Sequence, residues 1–167
     1  MAKNRKGDRA KILEGILLGI TDKKTLPDIL KAALQMACRD FDAEAGTVFL
    51  VDKRRRQLQF AAVLGHHTRT LKRMMISSNS GVVGWTIRNG RTAVVPDAPK
   101  DPRYAPEVSE KIKYPTRNIA CVPIKSGKTA IGAVEIINWK GRNPGRQKIE
   151  RLQETARVLG KVIETAG

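Results

Sequence analysis

Acidic residues are absent from Lys53 to Pro96, a stretch that carries nine lysines and arginines. Over the whole chain 32 Lys and Arg stand against 16 Asp and Glu, a formal net charge of +16. A field of that sign attracts nucleic acid or an anionic surface. Aromatic residues are scarce, at 4%, so stacking platforms for single strands are few. No helix-turn-helix or zinc-finger pattern occurs. Binding of nucleic acid is therefore expected to be at most weak and non-specific. Cysteine is limited to Cys38 and Cys121, both in apolar contexts and without CxxC or Cys/His metal spacing, so buried reduced thiols are expected. No apolar run is long enough to span a bilayer. The basic start, MAKNRKGDRAK, leads into no apolar secretory segment, and a cytoplasmic protein is the expectation. The two histidines, His66 and His67, are adjacent. A nucleophile needs a base within reach and a group that orients it, and no such constellation is visible, so the chain is not expected to be an enzyme.

What is present fits one domain. The chain has 167 residues, 41% hydrophobic, enough for a real core. Residues 1–10 read as a basic tail and 11–167 as a single domain. Asp8 to Ile20 reads as a helix, and Thr25 or Asp28, with Pro27, opens a second one through about Asp40. AGTVFLVD and LQFAAVLG have strand composition and should pair as a hairpin. Gly65 to Met75 is ambiguous, with a short helix as one reading. Ser80 can cap a helix containing Val82, Val83, Trp85 and Ile87, and Gly90 can end it. RTAVVPD is a short strand stopped by Pro96. NIACVPI and TAIGAVEIIN form a second hairpin around KSGK, and from about Gly145 the chain is helical. In that last helix Ile149, Leu152, Ala156, Leu159, Ile163 and Ala166 repeat at spacings of 3 and 4. Such a seam either packs on its own sheet or pairs with a copy in a homodimer. The order of elements predicts an α+β fold, with the terminal helices on one face of an antiparallel sheet.

The segment DAPKDPRYAPEVSEKIKYPTRNIACVPI, from Asp97 to Ile124, opens with three prolines in ten residues and closes as a strand. It must cross the sheet, and its prolines hold it off regular pairing. Its residues carry part of a resemblance to GAF domains, which implies that it is the lid of a pocket, with Asp97, Asp101, Arg103, Tyr104, Thr116 and Arg117 supplying polar groups and Val82, Val83, Val95 and Ile119 apolar walls. Thr116 is placed on a strand, from which odd spacing sends Cys121 to the opposite layer. Val134 and Ile136 should face the terminal helices, leaving Glu135 on the pocket side.

SGVVGWTIRNGRTAVVPDAPKDPRYAPEV, followed by YPTRNIACVPI and IGAVEIIN, resembles a GAF domain, with the element order matching from about Leu13 to Ile163. The lid portion is especially similar to GAF domains of cyclic-nucleotide phosphodiesterases and adenylyl cyclases. The resemblance implies a six-stranded or similar antiparallel sheet and a small-molecule pocket opposite the terminal helices. It implies that Val82 and Val83 approach the ligand, that Asp97 and Ala98 begin the lid, and that Thr116 and Glu135 offer a hydroxyl and an acceptor. Ala105 and Ile112 stand where the family often has an aromatic residue and a threonine, and Trp139 where its signature has a lysine. The function so implied is a non-enzymatic sensor that binds a small molecule, such as a cyclic nucleotide or another purine, and signals through paired terminal helices to an effector domain or partner protein. A ligand-free dimerisation or protein-interaction module with a basic surface is the alternative.

Overall fold

In the computed structural model residues 25–141 and 143–166 are described. The helix expected over Asp8–Ile20 and the basic tail lie outside them. Helix α1 spans Leu26–Phe41, with Pro27 in its first turn. The Asp28 carboxylate accepts hydrogen bonds from the Thr25 backbone N–H and hydroxyl at 3.1 and 2.7 Å, which ties down the open helix end. Strands β1 (Ala43–Asp52) and β2 (Gln57–Leu64) follow as an antiparallel hairpin. Helix α2 (Thr68–Lys72) and strand β3 (Met75–Ser77) occupy the ambiguous stretch. Helix α3 runs Gly81–Asn89 and ends on Gly90 at φ +60°. Strand β4 is Ala93–Val95. A 3₁₀ turn at Ala98–Lys100 and helix α4 (Glu107–Ile112) punctuate the lid. Strands β5 (Ile119–Ser126) and β6 (Thr129–Trp139) form the second hairpin, and α5 spans Arg146–Ala166.

The six strands make one antiparallel sheet in the order β3-β2-β1-β6-β5-β4. Two apolar layers flank it. Ala120, Val122 and Ile124 of β5, with Val134 and Ile136 of β6, pack against Leu30, Leu34, Leu152 and Leu159 of α1 and α5. On the other face Ile119, Cys121 and Ala133 pack against Val82 and Val83 of α3. Asn138, at φ +59°, breaks the alternation at the end of β6. Trp139 thereby turns back to the helix layer, where its ring meets Phe41 edge-on at 6.3 Å.

One expectation needs correction. Thr116 is not on a strand, because β5 begins only at Ile119. Its parity therefore says nothing about Cys121, which faces the lid layer rather than the helices. Of the seam on α5, Leu152, Ala156 and Leu159 are buried in the chain's own core, whereas Ile149 and Ile163 are partly buried and Ala166 is exposed.

Candidate functional site

A cavity of about 100 Å³ lies between the sheet and the lid. Its floor is built by cross-strand neighbours. Thr47 of β1 lies opposite Glu135 of β6, and Glu135 opposite Cys121 of β5. Residues opposite each other in an antiparallel pair share a face, so this row looks toward the lid. Phe49 and Phe60 tilt against each other at 4.7 Å and form an apolar wall. The N-terminal turn of α3 closes one side through Ser80, Gly81, Val82 and Val83, and Tyr104, Tyr114 and Thr116 come from the lid.

Glu135 is the only charged side chain lining this cavity among the described residues, and no hydrogen-bond partner of its carboxyl is found among them. Burial pushes its pKa up from 4.5 to about 7, as expected for a carboxyl held away from water without a counter-charge. The α3 N-terminus offers the opposite polarity. Ser80 makes no side-chain cap, while the Gly84 N–H already bonds the Ser80 carbonyl at 2.9 Å. The N–H groups of the first turn thus form the positive end of the helix beside the cavity.

Of the residues singled out from the sequence, Val82, Val83, Tyr104, Thr116, Ile119 and Glu135 line the cavity. The others stand around it. Ala98 is fully buried in the apolar layer under the lid, and its N–H donates to the Arg117 carbonyl at 2.7 Å, tying the two ends of the lid together. Asp97 is exposed and pairs with Lys100 at 3.5 Å. Asp101 accepts both Nε and Nη2 of Arg103, at 2.9 and 2.8 Å, and the guanidinium lies 4.6 Å above the Trp85 ring. That bidentate pair and stacking contact clamp the lid to α3. Arg117 reaches Glu44 at 2.8 Å.

Glu44 belongs to a cluster that sequence reasoning missed. Its carboxylate also accepts from the Tyr114 hydroxyl and from Asn138 Nδ2, the latter at 3.2 Å. Arg117 and the other two donors hold its pKa down at about 2. Asn138 further accepts the Arg117 N–H at 2.7 Å and donates to the Pro115 carbonyl at 2.9 Å. The left-handed backbone at Asn138 was the one local clue, since asparagine tolerates it. Glu44, some 70 residues before Tyr114, carried no local signal.

The sequence profile of the GAF domain matches residues 25–163. The chain belongs to the GAF domain family. GAF domains are small-molecule sensor and regulatory folds. The GAF domain from a phosphoenolpyruvate-protein phosphotransferase of Coxiella burnetii superposes with a TM-score of 0.82 at 19% identity, covering 95% of this chain and 94% of that one. A free methionine-R-sulfoxide reductase of Neisseria meningitidis, solved with its substrate, gives 0.77 at 22% identity over 95% and 89%. The GAF architecture is thus shared by regulatory domains and at least one enzyme. A probable 3′,5′-cyclic phosphodiesterase of Caenorhabditis elegans is 25% identical over 127 residues, 70% of this chain. The chain spans 17% of that relative's length. Among the described residues no helix is long and apolar enough to cross a membrane.

Proposed function

We propose that this GAF domain is a non-enzymatic sensor whose ligand presents a hydrogen-bond donor to Glu135. The observation that carries this is the partnerless carboxyl on the floor of an otherwise uncharged cavity. Glu135 is half-buried and open to the cavity; a poorly solvated carboxyl is costly to ionise, and a ligand donor offsets that cost. The α3 N-terminus suits the ligand's anionic end. A cyclic nucleotide, with a purine at one end and a phosphate at the other, has this polarity, and the similarity to a cyclic phosphodiesterase favours it. The cavity is smaller than the usual several hundred Å³ of a ligand site, so the lid moves outward to admit a nucleotide. The signal leaves through the terminal helix α5, which packs on β5 across the sheet, toward an effector domain or partner protein.

The non-enzymatic part of this reading is supported by the thiols. Cys121 is fully buried, and burial pushes its pKa well up. Cys38 lies in the opposite layer and is pushed up to about 11 by burial. Neither is a thiolate at neutral pH, the form that thiol chemistry requires.

Calorimetric titration with cyclic AMP, cyclic GMP, free nucleobases and amino acids tests the proposal. A ligand should be found whose affinity falls about tenfold in Glu135→Gln and about fivefold in Thr116→Val, the loss of roughly one hydrogen bond each. A ligand bound equally well by both variants would remove the proposed site.

A further inference from the structure

A cluster of exposed cations lies at one end of the sheet. Leu50 of β1 lies opposite Gly132 of β6, so β1 ends where β6 begins. The β1–β2 turn (53–56) and the β5–β6 turn (127–128) therefore leave the sheet side by side. They stand about two strand spacings, or roughly 10 Å, apart. Lys53, Arg54 and Arg56 are exposed in the first turn and Lys128 in the second, and none has an acidic partner among the described residues. Arg55 alone is neutralised, by Asp52 at 3.8 Å. Next to the second turn, Arg91, Lys125, Arg157 and Lys161 line an open groove of about 650 Å³ between the end of α3 and α5. Its one acid, Glu164, accepts from the Ser126 hydroxyl, and only Arg157 of the four cations is ion-paired, with Glu154. At the opposite end of the sheet several cations are ion-paired. There Arg117 pairs with Glu44, Lys140 with Asp42 and Arg151 with Asp40.

We propose that the hairpin-tip end is a sequence-independent docking surface for the phosphodiester backbone of a duplex nucleic acid. Unpaired cations on two adjacent turns and a flanking groove can meet several phosphates at once. The arginine fork fits a phosphate through two parallel hydrogen bonds. Neither the turns nor the groove carries an aromatic side chain, so nothing there can stack on unpaired bases or anchor in a bilayer. An acidic protein partner would use aromatic or large apolar anchors, and the apolar side chains of the groove are limited to Val122, which is fully buried, and Pro123. Among the described residues no helix or strand projects from this end to read base edges, so affinity should not depend on sequence. The surface lies outside the ligand cavity, so this inference stands or falls separately from the sensor reading.

The test is fluorescence anisotropy of the full chain with 20-base-pair DNA and RNA duplexes of unrelated sequences, over a salt series starting near 50 mM. Both duplexes should bind without sequence preference. The logarithm of affinity should fall with the logarithm of salt by about 0.9 for each phosphate neutralised, hence a slope near −4 for four contacts. Arg54→Glu/Arg56→Glu and, separately, Lys125→Glu/Lys128→Glu should each reduce that slope by about 2. Lys72→Glu/Lys111→Glu, with the same change in net charge on α2 and α4, should leave the slope within about half a unit. Binding of only the DNA or only the RNA duplex would assign the source of the phosphates and leave the surface in place. Three results would overturn the proposal: no binding near 50 mM salt, equal losses in the control variant, or more effective competition by polyglutamate or phosphatidylserine vesicles than by duplex.

Discussion

Two glutamates place the protein's pH dependence in opposite directions. Glu135 has a folded pKa of about 7, above its ordinary 4.5. The folded state therefore holds the proton more tightly than the unfolded chain. Stability should decrease as pH rises from about 4.5 to about 7, by up to about 3 kcal/mol. Urea denaturation at intervals across that range should show a falling contribution in the native protein that is missing in Glu135→Gln. Glu44 is held at about 2 by Arg117, Tyr114 and Asn138. Its contribution is present above about 4.5 and is lost as pH drops toward 2, so Glu44→Gln should flatten only the acidic limb. Ligand affinity adds a third signature. A donor on the ligand prefers the ionised carboxylate, so binding should strengthen through pH 7, and Glu135→Gln should abolish that dependence. The position of Glu135 on the lid face was legible in IGAVEIIN because a lone acid interrupts an apolar strand. Its neighbours Thr47 and Cys121 were not, since only strand pairing brings them beside it.

At the level of elements, close backbone contacts fix how the layers dock. A Cβ added at Gly160 would sit 2.2 Å from the Lys125 carbonyl oxygen. Gly160→Ala should therefore push α5 off β5 and cost about 1–3 kcal/mol, despite the gain in helix propensity of roughly 1 kcal/mol. Chemical denaturation gives the sign directly. A stabilised variant would mean that the helix slides without loss. On the other face, Arg103→Ala removes the clamp between the lid and Trp85. It should cost about 1 kcal/mol, speed amide exchange over residues 98–112 and change Trp85 fluorescence. The long elements were legible because their periodicity is carried by side chains that must be buried. The short ones were not. Helix α4 has six residues, with Val108 and Ile112 its only partly buried apolar ones, too short a stripe to stand out, and β3 has only three residues, so hydrogen bonds from β2 define it more than its composition does. Thr116 reads like the start of a strand, yet Arg117 gives its N–H to the Asn138 side chain instead of to a ladder partner.

For the whole molecule, the 3-4 seam on α5 acts first on folding. Leu152 and Leu159 are 1% and 0% exposed within one chain. Leu152→Asp or Leu159→Asp should unfold the domain rather than merely separate two copies, because an unpaired carboxylate would enter the core. Circular dichroism with light scattering distinguishes these outcomes: folded monomers in both variants would contradict the packing described. Leu159→Ala is a gentler probe and should cost about 2–5 kcal/mol.

The sequence by itself determined the fold class, the two hairpins, the principal helices and the division of the sheet into a helix face and a lid face. Those follow from local chain geometry, since periods of 2 and 3.6 decide which side chains share a surface. Only the tertiary structure decided where the lid's polar residues point. Asp101 turns to Arg103 and Arg117 to Glu44, while Thr116 lines the cavity. It likewise decided that Leu152 and Leu159 of the seam enter the chain's own core and that cations of two separate turns and a groove come together at the hairpin tips. Charge partners and shared burial depend on three-dimensional distance between residues far apart in the chain, which no local pattern specifies.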